Sequence, residues 1–256
     1  MIELKDVFAG YGKKEVVGGL SLTAESNCLT VIIGPNTCGK STLLKAIAGI
    51  LPITSGKVTI DGKTVPAGEE RAKRISYLPQ GNLTPEMTVE DLVLQGRFPR
   101  LSFPKKYGKA DREAAREALC RMGLEDLAES YMSTLSGGMK QRAFVAMTIA
   151  TGADHLLLDE PTSFLDAAGK TQLMKLLRSL AEGGQSVVCV IHEVDLAMKY
   201  AHKICVMDKG KDVFYGTPDR LFSSGVIENV FGISLGRIES NGGYCYYYSD
   251  IKEGET

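Results

Sequence analysis

The most informative stretch of this sequence reads Gly34-Pro35-Asn36-Thr37-Cys38-Gly39-Lys40-Ser41. It matches the pattern GxxxxGK followed by Ser or Thr, between an apolar, β-branched run at residues 29–33 and a helical pattern at residues 41–49. Strand, glycine loop and helix in this order are typical of a phosphate-binding loop, where backbone N–H groups and the positive helix end hold anionic oxygens. Lys40 would reach the β- and γ-phosphates of a nucleotide, and the Ser41 hydroxyl would bind Mg²⁺.

The overall composition excludes several classes of protein. The 256 residues include 30 Lys+Arg and 31 Asp+Glu, so the formal net charge is −1, without the basic surplus that nonspecific nucleic-acid binding needs. We therefore expect no nucleic-acid partner. The apolar runs are far shorter than the roughly 20 residues of a membrane-spanning helix, and the N-terminus does not resemble a signal peptide. A cytoplasmic protein is the expectation.

The rest of the chain predicts an α/β fold, a P-loop NTPase core with a mainly parallel sheet. Residues 2–8 and 15–24 suggest an antiparallel hairpin at the N-terminus. Further strand patterns occur at residues 57–60, 74–78, 156–158, 187–191 and 204–207. A helical pattern over residues 171–180 separates two of them, as in a parallel sheet with crossover helices.

A helical segment interrupts this pattern. From about residue 86 to about residue 150 the sequence is mostly helical, beginning with the capping-box pattern Thr88-Val89-Glu90-Asp91. We predict a single domain over residues 1–256, with a core formed by 1–85 and 151–256 and a helical subdomain inserted at about 86–150. A terminal hairpin is predicted at about 237–249.

Two carboxylates follow a predicted strand. Leu156-Leu157-Leu158 leads into Asp159-Glu160, which places both acidic side chains at the sheet edge where open α/β folds bind ligands. One carboxylate could hold a metal ion and the other could polarise water. The alternative is a strand that simply ends in acidic residues on its way to solvent.

A second glycine loop opens a helix at Leu135-Ser136-Gly137-Gly138-Met139-Lys140-Gln141-Arg142. A serine hydroxyl, free backbone N–H groups and a positive helix end again form an anion site. One nucleotide does not need two such loops. Two copies of the chain arranged head-to-tail would let each loop complete the other copy's site, which predicts a homodimer.

These motifs, in this order, resemble the ATP-binding subunit of an ABC transporter over nearly the whole chain. The resemblance implies ATP and Mg²⁺ as cofactors and implies that Tyr11 stacks on adenine, although a packed aromatic in a hairpin turn is the alternative for Tyr11. The residues implied to bind ATP are Tyr11, Gly34, Pro35, Asn36, Thr37, Cys38, Gly39, Lys40, Ser41 and Thr42. The residues implied to contact the partner subunit's ATP are Ser136, Gly137, Gly138 and Met139.

The same resemblance assigns the chemistry. It implies that Glu160 is the general base or water-orienting residue and that His192 contacts the γ-phosphate. Ser41, Gln80 and Asp159 would serve the Mg²⁺ site. The implied catalytic residues are Glu160, His192, Gln80 and Lys40, with Lys40 and His192 offsetting charge on the transferring phosphoryl group.

Shorter strings narrow the resemblance to importers of iron-siderophore, haem and cobalamin. They lie at residues 77–80, 96–100, 162–166, 216–218 and 230–233. The implied partners are a second copy of the chain, an integral membrane permease and, indirectly, a periplasmic or lipoprotein substrate-binding protein, with the chain peripheral on the cytoplasmic face of the membrane. An exporter ATPase or a soluble ATP-gated clamp are the alternatives.

Several residues keep two interpretations. Thr37 stands where the family often has glycine and Met139 where it often has glutamine. Cys38 sits at a helix N-terminus that can lower a thiol pKa, so its alkylation would block ATP binding, or it is a small side chain without a redox role. Arg97 and Arg100 either grip a permease or belong to a solvated loop. The tyrosines at 244 and 246–248 either pack on the chain or dock a partner.

Overall fold

The phosphate loop leaves a central strand of a six-stranded sheet with the order β5-β6-β7-β3-β8-β9. A computed structural model describes residues 1–64, 68–81, 83–240 and 243–249. The strands of this sheet are β3 Cys28–Ile33, β5 Ile75–Leu78, β6 His155–Asp159, β7 Ser186–Val190, β8 Lys203–Asp208 and β9 Lys211–Gly216. All neighbours pair in parallel except β8 and β9. The carboxyl ends of β3, β6 and β7 therefore meet at one edge.

Both faces of this sheet are covered, which explains its almost uniformly apolar strands. One face packs on an antiparallel sheet of order β2-β1-β4, formed by β1 Ile2–Tyr11, β2 Lys14–Ala24 and β4 Ile53–Ile60. Alternate residues of β3 point to opposite sides: Val31 enters the core beneath the helices, and Ile32 enters the core beneath the antiparallel sheet. The predicted fold class, including the N-terminal antiparallel part, is confirmed.

Nine α-helices lie in the described part of the chain. They are α1 Lys40–Ala48, α2 Glu69–Arg74, α3 Val89–Gln95, α4 Lys109–Arg121, α5 Gly137–Ala150, α6 Ala167–Glu182, α7 Val194–Tyr200, α8 Pro218–Phe222 and α9 Val226–Phe231. Helices α3, α4 and α5 follow β5, precede β6 and pack on one another. Half of the predicted capping box is present: Thr88 Oγ1 accepts from the Asp91 backbone N at 3.2 Å, and the same hydroxyl donates to Asp91 Oδ2 at 2.8 Å. None of the helices in these ranges combines the length and apolar composition of a bilayer span.

The side chain of Arg97 is 16% exposed and points inward, whereas Arg100 is exposed but bonded to backbone carbonyls. The interpretation of Arg97 as part of a solvated loop is therefore wrong. Arg97 Nε lies 3.0 Å from Asp111 Oδ1, and Arg97 Nη1 donates to the carbonyl oxygens of Ala150 and Thr151 at 3.0 and 3.2 Å. Arg100 donates to the carbonyl oxygens of Thr151 and Gly152. The carbonyls at the end of a helix lack partners within the helix, and these two cations supply them.

The last two strands, β10 Ser234–Ser240 and β11 Gly243–Ser249, pair antiparallel and lie against α7. The tyrosines of this hairpin are mostly at its surface, with Tyr244, Tyr247 and Tyr248 39%, 48% and 47% exposed. Arg237 stacks between the rings of Phe222 and Tyr244, at 4.5 and 4.0 Å from their centroids. The hairpin is therefore fixed to the chain mainly by aromatic and polar contacts.

Candidate active site

The phosphate loop and the β1–β2 hairpin form a pocket of about 490 Å³. Lys40, Ser41 and Thr42 line its floor, and Tyr11, whose side chain is 50% exposed, lies at its edge. The remaining walls include Lys14, Glu15, Val16, Lys209 and Gly210, which the sequence did not indicate. Lys14, Glu15 and Val16 begin β2, and Lys209 and Gly210 follow the end of β8. No local sequence motif marks these positions. A flat aromatic ring at the edge and a cation at the floor suit a nucleotide.

The loop itself is shaped by close backbone approaches. A Cβ at Gly34 would lie 2.2 Å from the carbonyl oxygen of Met207 in β8, so no side chain fits there. Lys40 is 6% exposed, and its Nζ donates to the carbonyl oxygens of Gly34 and Pro35 at 2.8 Å each. Thr37, an exposed residue, has a φ of 65°, a left-handed conformation that a β-branched side chain rarely adopts. The backbone thus explains why glycine is common at position 37.

Of the two interpretations of Cys38, the structure contradicts the lowered thiol pKa. Its side chain is 6% exposed, and burial raises the pKa of the thiol, an effect that the neighbouring Lys40 charge offsets only in part. Desolvation therefore outweighs the helix N-terminus, and the expectation of a lowered pKa is wrong. Four of the six cysteines are buried, and Cys120 and Cys245 are exposed.

Oxygen donors suited to Mg²⁺ converge beside the loop. Ser41 Oγ donates to Asp159 Oδ1 at 3.1 Å, and the Tyr77 hydroxyl donates to Asp159 Oδ2 at 3.4 Å. Asp159 is 1% exposed, and burial raises the pKa of its carboxyl while the hydrogen bond from Ser41 opposes the rise. Mg²⁺ prefers one or two carboxylates together with hydroxyl, water and phosphate oxygens. The residues present therefore fit the ion, and Tyr77 is a supporting contact that the sequence did not indicate.

Three of the sequence-predicted catalytic side chains are in direct contact. Glu160 Oε2 accepts from Gln80 Nε2 at 2.7 Å, and Glu160 Oε1 lies 2.7 Å from His192 Nε2. Glu160 follows β6, and His192 lies just beyond the end of β7, so neighbouring parallel strands bring them together. The side chain of Glu160 is 13% exposed and that of His192 is 45% exposed. A carboxylate held on both oxygens in this way is well placed to orient a water molecule.

The second glycine loop lies apart from the first. Ser136 Oγ caps α5 by accepting from the Met139 backbone N at 3.3 Å. Among the described residues, Ser136, Gly137, Gly138 and Met139 are absent from the walls of the pocket that contains Lys40. A Cβ at Gly137 would instead lie 3.5 Å from the side chain of Phe164, which is 77% exposed. The described part of the chain therefore keeps this loop outside the pocket that contains Lys40.

The sequence model of the ABC transporter family matches residues 17–163 of this chain. This range includes the phosphate loop, Gln80, the second glycine loop and Glu160. This chain belongs to the ABC transporter family. It is an ATP-binding cassette, and cassettes of this family are ATPases.

Individual relatives of this ABC cassette cover almost its full length. The ferric enterobactin transport ATP-binding protein FepC of Escherichia coli (strain K12) is 37% identical over 228 residues, which cover 88% of this chain and 84% of FepC. The petrobactin import ATP-binding protein YclP of Bacillus subtilis (strain 168) is 37% identical over 239 residues, which cover 92% of this chain and 94% of YclP.

Solved ABC transporter structures share the fold. A metal-chelate type ABC transporter in an inward-facing conformation superposes with a TM-score of 0.84 at 25% identity, covering 98% of each chain. The dimeric structure of the bacterial ABC transporter cassette MJ0796 superposes with a TM-score of 0.75 at 29% identity, covering 85% of this chain and 99% of that one.

One further group joins the catalytic segments of the cassette. Glu193, next to His192, accepts hydrogen bonds from Thr162 Oγ1 at 3.2 Å and from Lys170 Nζ. Burial alone would raise the pKa of Glu193, but the bonds from Lys170 and the backbone lower it overall, so the carboxylate is charged at neutral pH. The segment that carries His192 is thereby tied to the segment that follows Glu160. No local sequence pattern indicates this contact, because it joins residues from three separate segments.

Proposed function

We propose that this cassette is the ATP-hydrolysing subunit of an importer that takes up iron-siderophore, haem or cobalamin through a membrane permease. The importer assignment is supported by the relatives, because FepC and YclP are described as ferric enterobactin and petrobactin transport subunits. The metal-chelate type of the structural neighbour points the same way. The observation that carries the hydrolytic part is the Glu160 carboxylate held by Gln80 and His192.

The proposed chemistry follows from these contacts. Lys40 would transfer its hydrogen bonds from the Gly34 and Pro35 carbonyls to the β- and γ-phosphates of ATP. Glu160 would orient the attacking water and accept its proton, and His192 would donate from Nε2 to the γ-phosphate. Ser41, Asp159 and Gln80 would hold Mg²⁺, which neutralises charge on the phosphate oxygens when it is bound. Tyr11 would stack on the adenine ring.

The active form is proposed to be a head-to-tail homodimer with two ATP molecules between the subunits. In that arrangement Ser136, Gly137, Gly138 and Met139 would contact the ATP held by the partner subunit's phosphate loop. The dimeric MJ0796 cassette supports this arrangement. ATP would favour the closed dimer because it binds both subunits there, and a ligand can shift a conformational equilibrium only by such differential affinity.

A groove along β5, the strand that precedes Gln80, is proposed to receive a cytoplasmic helix of the permease. It has a volume of about 440 Å³ and lies between α1, β5 and the helical segment, with Ile50, Tyr77, Gln95 and Met147 among its walls. Movement of a helix in this groove would reach the active site through Tyr77, whose hydroxyl donates to Asp159 Oδ2 at 3.4 Å. The cassette would therefore lie on the cytoplasmic face of the membrane, with a substrate-binding protein on the other side.

Affinity capture tests the assignment. Tagged Glu160→Gln protein is recovered from its native membranes with ATP and Mg²⁺, and the companions are identified by mass spectrometry, with a sample lacking ATP as control. A many-spanning permease together with a substrate-binding protein would support the importer. An exporter permease, or only soluble nucleic-acid machinery, would overturn the import assignment and leave the ATPase chemistry in place.

A further inference from the structure

The C-terminal hairpin makes a specific contact with the helix that follows His192. The hydroxyl of Tyr248 in β11 accepts a hydrogen bond from the Asp195 backbone N at 2.9 Å and donates one to Asp195 Oδ1 at 3.0 Å. Burial raises the pKa of Tyr248 to about 12, so the hydroxyl keeps its proton at neutral pH. The contact therefore uses the phenol both as an acceptor and as a donor.

This contact supplies a cap that α7 lacks locally. The first N–H groups of a helix have no partner within the helix, and a short polar side chain at the preceding residue usually accepts from them. In α7 that residue is Glu193, whose side chain makes no capping bond among the described residues. Its carboxylate is engaged by Thr162 and Lys170 instead. Tyr248 thus satisfies the Asp195 N–H from outside the helix.

The position of His192 depends on this capped backbone. Its side chain is 45% exposed, so packing alone does not hold the imidazole against Glu160. On one side the backbone is fixed by β7, which ends at Val190. On the other side it is fixed by Glu193 and by the first turn of α7, where Asp195 lies. If the first turn of α7 loosened, the backbone at His192 would therefore move as well, because His192 lies between β7 and α7 and belongs to neither.

We propose that Tyr248 is a positioning residue for ATP hydrolysis: through Asp195 it fixes the start of α7 and so holds His192 against Glu160. This inference rests on the proposed hydrolysis at Glu160. The hairpin is then connected to the active site through Asp195, because the hydroxyl group of Tyr248 supports the backbone that carries His192.

Removing that hydroxyl tests the proposal in the full-length protein. We expect Tyr248→Phe to lower kcat for ATP hydrolysis by about threefold to tenfold, as the loss of one hydrogen bond would. The Kd for ATP should stay unchanged, because Tyr248 does not line the nucleotide pocket. The matched control is Tyr247→Phe, since Tyr247 is similarly exposed and its hydroxyl bonds to none of the described residues. A wild-type kcat in Tyr248→Phe would overturn the proposal, whereas an inactive wild-type protein would instead overturn the proposed hydrolysis.

Two further measurements separate positioning from general weakening. If Tyr248 acts through His192, adding Tyr248→Phe to His192→Ala should cause no additional loss of rate, because the effects of residues that act as a unit are not additive. A multiplied loss would overturn the proposal. Hydrogen exchange gives a readout without hydrolysis: the Asp195 amide should exchange several-fold faster in Tyr248→Phe, and unchanged protection there would also overturn it.

Discussion

The carboxylate of Glu160 and the imidazole of His192 are 2.7 Å apart, so the water-orienting residue and the proposed γ-phosphate contact are held as one pair. They lie just beyond neighbouring parallel strands, β6 and β7, whose register brings Asp159 opposite Val190. The backbone N of Glu160 also donates to the Val190 carbonyl at 3.0 Å, which fixes the turn that presents the carboxylate. The sheet therefore fixes the backbone of Glu160 and one side of the segment that carries His192.

Glu160→Gln should separate ATP binding from hydrolysis. The amide keeps the size of the carboxylate but cannot accept a proton, so we expect the hydrolysis rate to fall by about 10²- to 10⁴-fold. ATP should still bind, and the protein should accumulate as a dimer in size-exclusion chromatography with ATP. Glu113→Gln, at an exposed carboxylate of α4, is the isosteric control. An unchanged hydrolysis rate in Glu160→Gln would refute the role assigned to this residue.

Thr37→Gly should stabilise the protein. A β-branched residue in the left-handed region is strained, and the relief should exceed the extra chain entropy of glycine, raising the free energy of unfolding by about 1 kcal/mol. Chemical denaturation measures the difference. Thr64→Gly is the control, because Thr64 is also exposed but does not have a positive φ. Equal or lower stability of Thr37→Gly would show that the loop does not strain this residue.

Arg97→Ala should destabilise the fold rather than only weaken a partner interaction. The substitution removes one donor from the Asp111 carboxylate and one from each of the carbonyls of Ala150 and Thr151, which should cost about 2–3 kcal/mol of unfolding free energy. Lys106→Ala, at an exposed basic residue of the same segment, should change it by less than about 0.5 kcal/mol. Urea denaturation of both variants decides whether Arg97 is structural, and equal stabilities would contradict this.

Protonation of His155 should weaken the fold in mild acid. This side chain is 1% exposed, and burial lowers its pKa below the ordinary 6.5, although Asp61 lies 3.3 Å away. Below pH 6.5 the unfolded chain therefore binds a proton that the native chain resists. The free energy of unfolding then falls as the pH drops, by at most about 1.4 kcal/mol per pH unit from this group.

His155→Gln isolates that contribution. Glutamine can still donate to Asp61 but does not titrate, so its unfolding free energy should fall less steeply than that of the wild type between pH 6.5 and 5. Denaturation curves at several pH values provide the comparison, in which other titrating groups cancel. Parallel pH dependence in the two proteins would mean that His155 has the same pKa in the native and unfolded states, which would contradict the lowered native pKa.

The sequence predicted the parts of the site that follow from local pattern. A glycine loop between a strand and a helix, and two carboxylates after an apolar strand, have positions that a parallel sheet largely determines. The direct contact of Glu160 with Gln80 and His192 fits that expectation. The helical segment was also visible in the sequence, because its spacing changes from strand-like to helical near Thr88.

Other features depend on partners that no local pattern specifies. Arg97 lies in a segment whose composition is typical of a solvated loop. Its guanidinium binds the carbonyls of Ala150 and Thr151 because the end of α5 lies next to it in the fold. Cys38 lies at a helix N-terminus, yet burial controls its pKa, and burial is a property of the whole fold. The bond from Tyr248 to Asp195 joins a terminal strand to a helix that the sequence does not mark as its neighbour.

Gly34 belongs to the phosphate loop, and the packing of the loop against β8 also requires a glycine at this position. Its backbone lies so close to the Met207 carbonyl that any side chain would force the loop or β8 to shift. A genetic screen that recovered loss-of-function alleles at codon 34 would therefore be recovering folding defects, whereas alleles at codon 40 would report on phosphate binding. A descendant of this chain that had abandoned ATP altogether would remain under selection to keep the glycine.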